Sequence, residues 1–166
     1  MRVVFDSVML SLFLNPSAKP PKPIDRVQAR IDFLIHGLAG SNGKILIPAP
    51  VLSEFLVMPD AHLYLPELEN TDVFEVVPFD KLAAIEAAAQ TNKAINEGDK
   101  KASAEGTWQK VKVDRQVVAI AKVHQADSIY SDDADIEKLG KAVNIQVIGI
   151  EGLPLPPEEN GVLPLG

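Results

Sequence analysis

Met1-Arg2-Val3-Val4-Phe5-Asp6-Ser7 opens the chain with a short run of apolar, strand-favouring residues and sets an acid directly at its exit. The pattern returns at Ile129-Tyr130-Ser131-Asp132-Asp133, and the exits of parallel strands are where α/β sheets place their chemistry. Further apolar runs predict strands at about residues 2–6, 44–47, 73–77, 127–130 and 145–150, with helical periodicity between them. That alternation predicts an α/β chain, a three-layer α/β/α sandwich around a mostly parallel five-stranded sheet.

The connections are legible in the same way. A first helix is expected over residues 7–14, followed by an extended, proline-rich loop from Pro16 to Pro23. Asp25 would open the next helix, with Val27, Ile31, Leu34, Ile35 and Leu38 on one stripe and Gly40 to Gly43 at its end. Pro48 and Pro50 introduce the helix that carries Glu54, and Pro59 ends it. An alanine-rich helix is expected over Asp80 to Asn96, and another from Asp114 to Gln125. The chain divides into a domain over 1–150 and a proline-rich acidic tail over 151–166, whose sixteen residues hold four prolines, three glutamates and no basic residue.

A length of 166 residues with 46% hydrophobic content suffices for one core. The 23 acidic against 16 basic residues argue against a protein that holds nucleic acid through excess positive charge. Nucleic acid as a substrate stays open, because acids gathered around cations reverse sign locally. The absence of cysteine excludes disulfides, thiolate zinc sites, iron–sulfur clusters and cysteine nucleophiles, and fits the reducing cytoplasm expected for this chain. The first residues read as neither signal peptide nor membrane span, so no membrane partner is expected.

Two more acids stand out by their neighbours. Glu54 has Val51, Val57 and Met58 at helical spacings, and Asp114 has Val117, Val118 and Ala121, so both are expected on core-facing stripes. A carboxylate there is costly unless a cation or hydrogen-bond donors compensate it. Together with Asp6 and the Asp132/Asp133 pair, they read as a divided, oxygen-only site suited to Mg²⁺ or Mn²⁺ rather than zinc. Each acid also has a structural reading: Asp6 and Asp114 as helix caps, Asp132 and Asp133 as turn and cap residues for a helix over 136–141. Glu54 fits neither. His36, His62 and His124 stand in ordinary contexts, the basic residues from Lys93 to Arg115 are either an RNA-contacting rim or a solvated loop, and Trp108 either stacks on a base or closes a hydrophobic contact.

Four segments, taken in order, resemble the PIN domain: Val3-Val4-Phe5-Asp6-Ser7; Pro50-Val51-Leu52-Ser53-Glu54-Phe55-Leu56; Val113-Asp114-Arg115-Gln116-Val117-Val118-Ala119-Ile120-Ala121; and Ser131-Asp132-Asp133-Ala134-Asp135-Ile136. The resemblance runs to about Ile150. It implies a small α/β/α sandwich and a Mg²⁺/Mn²⁺-dependent endoribonuclease, commonly the toxin of a VapBC-type toxin–antitoxin pair. RNA would be the substrate and a small antitoxin protein the partner. Asp6, Glu54, Asp114 and Asp133 would be the metal-binding, catalytic acids. Ser131 would hydrogen-bond a carboxylate or a metal water, and Asp132 and Asp135 are near enough to take the role of Asp133. The resemblance also implies a homodimer paired through helices near the N-terminus, where Leu10, Leu12, Phe13 and Leu14 offer apolar surface. The proline-rich loop, the acidic balance and the tail depart from the small toxins. The competing reading is a non-catalytic PIN-like interaction module; an aspartyl phosphatase ranks lower, because Val8 stands where its second aspartate belongs.

Overall fold

Val3, Val4 and Phe5 have no solvent exposure, as a strand in the middle of a doubly covered parallel sheet requires. They form β1 (Arg2–Phe5) in a computed structural model that describes residues 1–15 and 17–157. β2 (Lys44–Pro48) and β4 (Ser128–Tyr130) pair with β1 on either side, and β3 (Phe74–Val77) and β5 (Gln146–Ile148) complete the sheet. Every pairing is parallel, in the order β3-β2-β1-β4-β5. The proline-rich loop is described except for Pro16, and of the expected tail the stretch 158–166 lies outside the described residues.

The sheet grows from β1 through β2 to β3, then crosses back past β1 to β4 and β5. Right-handed crossovers in opposite directions put their helices on opposite faces. One face therefore receives α1 (Ser7–Leu14), α2 (Val27–Gly40), α3 (Ala49–Phe55) and α4 (Leu65–Glu69), with a 3-10 turn at Ala61–Tyr64. The other receives α5 (Lys81–Asn96), α6 (Trp108–Val123) and α7 (Ala134–Ala142). The direction reverses between β1 and β4, so a crevice opens at their carboxyl ends. Asp6 follows β1 directly, and Asp133 lies three residues beyond the end of β4.

The core reaches the edges of this frame through aromatic contacts. Phe5 meets Tyr130 and Phe74 edge-on at 6.1 and 6.5 Å, and Phe13 stacks on Phe74 at 4.8 Å. Leu10, Leu12 and Leu14 are buried within the chain, which corrects the expectation that α1 leaves these residues as apolar surface for a second copy. Two helix starts also differ from expectation. α2 begins at Val27 rather than Asp25, because Arg26 takes a left-handed conformation (φ 50°) that cannot continue a right-handed helix. α6 begins at Trp108, capped by the Thr107 side chain, so Asp114 lies well inside the helix and cannot be its cap. Among the described residues no helix is long and apolar enough to cross a membrane.

The C-terminal segment is tied back by a buried arginine. Arg30 on α2 donates from Nη1 to the carbonyls of Glu151 (3.0 Å) and Leu153 (2.7 Å), and from Nε to that of Asp25 (3.0 Å). Arg30→Met keeps the stem and strands three carbonyls. We expect it to cost about 2–3 kcal/mol, since bonds from a charged donor are worth roughly 1.5–3 kcal/mol each and water recovers part of the loss. Urea denaturation checks this; a midpoint equal to wild type would show that the segment is not tied by Arg30.

Candidate metal centre

Asp6 ends β1 and caps α1: its side chain accepts from the Met9 N–H at 2.8 Å while the residue is 4% exposed. Capping and site membership are therefore compatible, because a carboxylate has acceptor capacity beyond one backbone bond. Burial pushes its carboxyl up from 3.8 to about 6; the Met9 N–H and the Ser131 hydroxyl pull it down, and the charges of Asp133 and Asp132 push it further up.

Asp133 caps α7, with Oδ1 accepting from the Asp135 N–H at 2.8 Å. Its own N–H donates to Ser131 Oγ at 3.0 Å, so Ser131 contacts both strand-exit acids. Its second oxygen turns toward α6. There Asp114, buried against the sheet, presents Oδ2, and the Lys110 ammonium stands between the two at 2.7 Å from each. Burial raises the Asp114 carboxyl despite Lys110, with Asp133 and Asp135 adding repulsion. Burial alone would lower the Lys110 ammonium, but its hydrogen bonds to Asp114 and Asp133 raise it overall.

Asp135 completes the group. One oxygen from each of Asp114, Asp133 and Asp135 lies within 4.8 Å of the others. The Asp135 carboxylate accepts the backbone N–H groups of Glu105 (2.7 Å) and Gly106 (2.9 Å) and lies 3.6 Å from Lys110. Its burial favours protonation, but those two donors and Lys110 outweigh it and hold the carboxyl below the usual range. Gly106 permits this approach, because a Cβ there would lie 2.7 Å from Asp135 Oδ2.

Asp6, Glu54, Asp114 and Asp133 line one cleft of about 780 Å³ at the carboxyl edge of the sheet. Glu54 also lines it, and here the sequence expectation fails in detail. α3 ends at Phe55, so Val57 and Met58 are beyond the helix, Val57 is 84% exposed, and Glu54 is an exposed rim residue rather than a core-facing one. Asp132 turns away from the cleft lining: its Oδ1 lies 3.6 Å from Lys22 of the proline-rich loop and fills the space where Gly149 would carry a Cβ.

The basic residues from Lys93 to Arg115 are largely engaged within the protein. Lys93 faces Glu97, Lys101 donates to the Gly106 carbonyl at 3.0 Å, and Arg115 is buried, donating to Thr91 Oγ1 and the Lys100 carbonyl. Trp108 is half-buried, with Lys100, Lys112 and Arg115 within 5.9 Å of its ring centre. Lys110 is the cleft residue that sequence reasoning missed. Its signal was the spacing of four to Asp114, which puts both side chains on one helix face.

Comparison with solved structures matches the fold to chains of three VapBC complexes. They are VapBC2 from Rickettsia felis bound to a promoter DNA fragment (TM-score 0.57, 12% identity), DNA-bound VapBC from Salmonella typhimurium (0.56, 13%) and VapBC-1 from nontypeable Haemophilus influenzae (0.55, 11%). Each alignment covers 90% of this chain and 98% of the other. The fold is PIN-like. No family model matches the sequence, and no curated protein is similar to it. The likeness therefore rests on the path of the backbone, and within that PIN-like frame the acids gather at the point where the strand order reverses.

The donor set can be judged by its chemistry. Carboxylate oxygens from Asp6, Asp114, Asp133 and Asp135, with Glu54 also in the cleft lining, suit a hard divalent cation, and no histidine or cysteine ligand competes among the cleft residues. The Lys110 ammonium already occupies a cation position among them.

Proposed function

We propose that the chain is a metal-dependent endoribonuclease acting in the cytoplasm as the toxin of a toxin–antitoxin pair. The observation that carries the reading is the convergence of Asp6, Glu54, Asp114 and Asp133 on one cleft at the switch point of a PIN-like sheet. Asp6, Asp114 and Asp133 would hold Mg²⁺ or Mn²⁺, with Asp135 and Glu54 as outer carboxylates. When bound, such a cation supplies Lewis acidity to a phosphodiester and to the water that attacks it. The protein's own contributions are separate. Ser131 and the Met9 N–H fix the orientation of Asp6, and the Asp135 N–H fixes that of Asp133. On this reading an RNA strand would lie in the cleft, with Phe79, Val57 and Val113 as an apolar wall for bases and Gln109 and Gln116 as neutral donors.

The antitoxin partner is supported by the VapBC complexes that share the fold. A homodimer belongs to the same reading, but with α1 buried it would use other apolar surface, of which Val57, Leu63, Leu82 and Ile85 are more than half exposed. The domain over 1–150 would carry the activity, with the residues after it as an appended segment.

The deciding experiment incubates a mixed pool of fluorescent single-stranded RNAs with the protein in Mn²⁺, Mg²⁺ or EDTA. Cleavage with either cation and none in EDTA is expected. Absence of cleavage in all three, with the protein folded, would favour the interaction module.

A further inference from the structure

The cleft already contains a cation made by the chain itself. Lys110 Nζ lies 2.7 Å from Asp114 Oδ2, 2.7 Å from Asp133 Oδ2 and 3.6 Å from Asp135 Oδ2. These oxygens belong to the three residues whose ligand atoms lie within 4.8 Å of one another. An ordinary helix-surface pair joins one lysine to one acid four residues away. Here one ammonium serves acids from α6, the β4 exit and α7, at the centre of their cluster.

We propose that Lys110 is the resident counter-ion of this cluster: it holds the position a divalent cation takes, must be displaced for that cation to enter, and thereby sets the affinity for it. The inference rests on reading the cleft as a metal site. Two geometric features support it. An ammonium and a divalent cation repel strongly at a separation of 3–4 Å, and both draw on the same oxygens, so they exclude each other. The lysine can also leave without a backbone change. Its side chain is 43% exposed, so the head has a path to water, and the stem is bounded on one side by Gly106, whose Cβ would come within 3.0 Å of Lys110 Cδ. The unliganded acids are thus kept paired, and the cation gains the site only above a threshold concentration.

The test titrates Mn²⁺ into wild type, Lys110→Met, Lys110→Gln and Lys110→Arg, reading free Mn²⁺ by electron paramagnetic resonance and melting temperature in parallel. Lys110→Met and Lys110→Gln are expected to bind Mn²⁺ about tenfold more tightly than wild type, from the release of two partly exposed ion pairs worth together on the order of one factor of ten. They are also expected to melt lower in EDTA and to gain more from Mn²⁺. Lys110→Arg keeps the charge and is expected to stay near wild type. Measuring two neutral variants prevents a folding defect in one from deciding the outcome. Wild type and both neutral variants binding Mn²⁺ equally, or the variants binding it more weakly, would overturn the role of Lys110 alone. No Mn²⁺ binding by any of the four proteins up to the millimolar range would overturn the metal site itself, and this inference with it.

Discussion

Asp114→Asn is expected to fold and, on the proposed ribonuclease reading, to lose RNA cleavage by about 10³-fold or more, the scale on which removal of a principal electrostatic stabiliser acts. Asparagine matches the shape of aspartate and keeps one oxygen toward Lys110, but it brings no charge to a divalent cation. The effect on folding is small because two changes oppose each other. Burial disfavours the Asp114 carboxylate, so neutralising it relieves that cost, while the pair with Lys110 at 2.7 Å is weakened. Urea denaturation in EDTA and cleavage of an RNA pool in Mn²⁺, for both proteins side by side, check the two halves. Cleavage unchanged in the variant removes Asp114 from the site.

The second large effect is on stability, and it depends on pH. Asp6 titrates near 6 in the fold against 3.8 as an ordinary aspartate, chiefly because it is buried. The folded protein therefore holds this proton more tightly than the unfolded chain does. The associated stability is fully present below about pH 3.8, declines as pH rises and is lost above about pH 6. Asp6→Asn cannot ionise and keeps a good helix cap, so without metal it is expected to exceed wild type by roughly 2–3 kcal/mol at pH 7.5 and to equal it near pH 3.5. Comparing the two proteins cancels the opposite contributions of Asp135 and Glu86, whose carboxyls are held low. On the proposed metal reading Mn²⁺ is expected to reverse the order at pH 7.5, since it favours the ionised carboxylate that only wild type offers. A constant difference between the two proteins from pH 3.5 to 7.5 removes Asp6 as the titrating group.

Much of this was legible because the sheet is parallel and buried on both faces. Runs such as Val3-Val4-Phe5 and Ile45-Leu46-Ile47 are apolar throughout, and the acid after the first marks a strand exit without ambiguity. Asp6, Asp114 and Asp133 were singled out by that rule and by helical spacing, and they line one cleft. Glu54 was assigned to the cleft on a faulty premise: the spacing argument extended α3 past Phe55, whereas a seven-residue helix has no stripe long enough to include Val57 and Met58. Asp114 was read as a helix start because the weaker signal, Thr107 as a cap two turns earlier, was not used. The roles of Arg30 and Lys110 were missed for a different reason, although the spacing of Lys110 to Asp114 was visible in the sequence. Lone basic residues are usually solvated, and only the chain path brings Arg30 to Glu151 and Lys110 to Asp133.

The central strand of the sheet is also the first to be synthesised. β1 finds one neighbour at residue 44 and the other only at residue 128, so its second edge stays open until most of the chain exists. During translation the N-terminal portion emerges with half a sheet and with Asp6 facing no Asp133, which follows the last but one strand. The acids that meet at the cleft are therefore brought together only after β4 has been made, so the growing chain presents no assembled site until most of the domain exists.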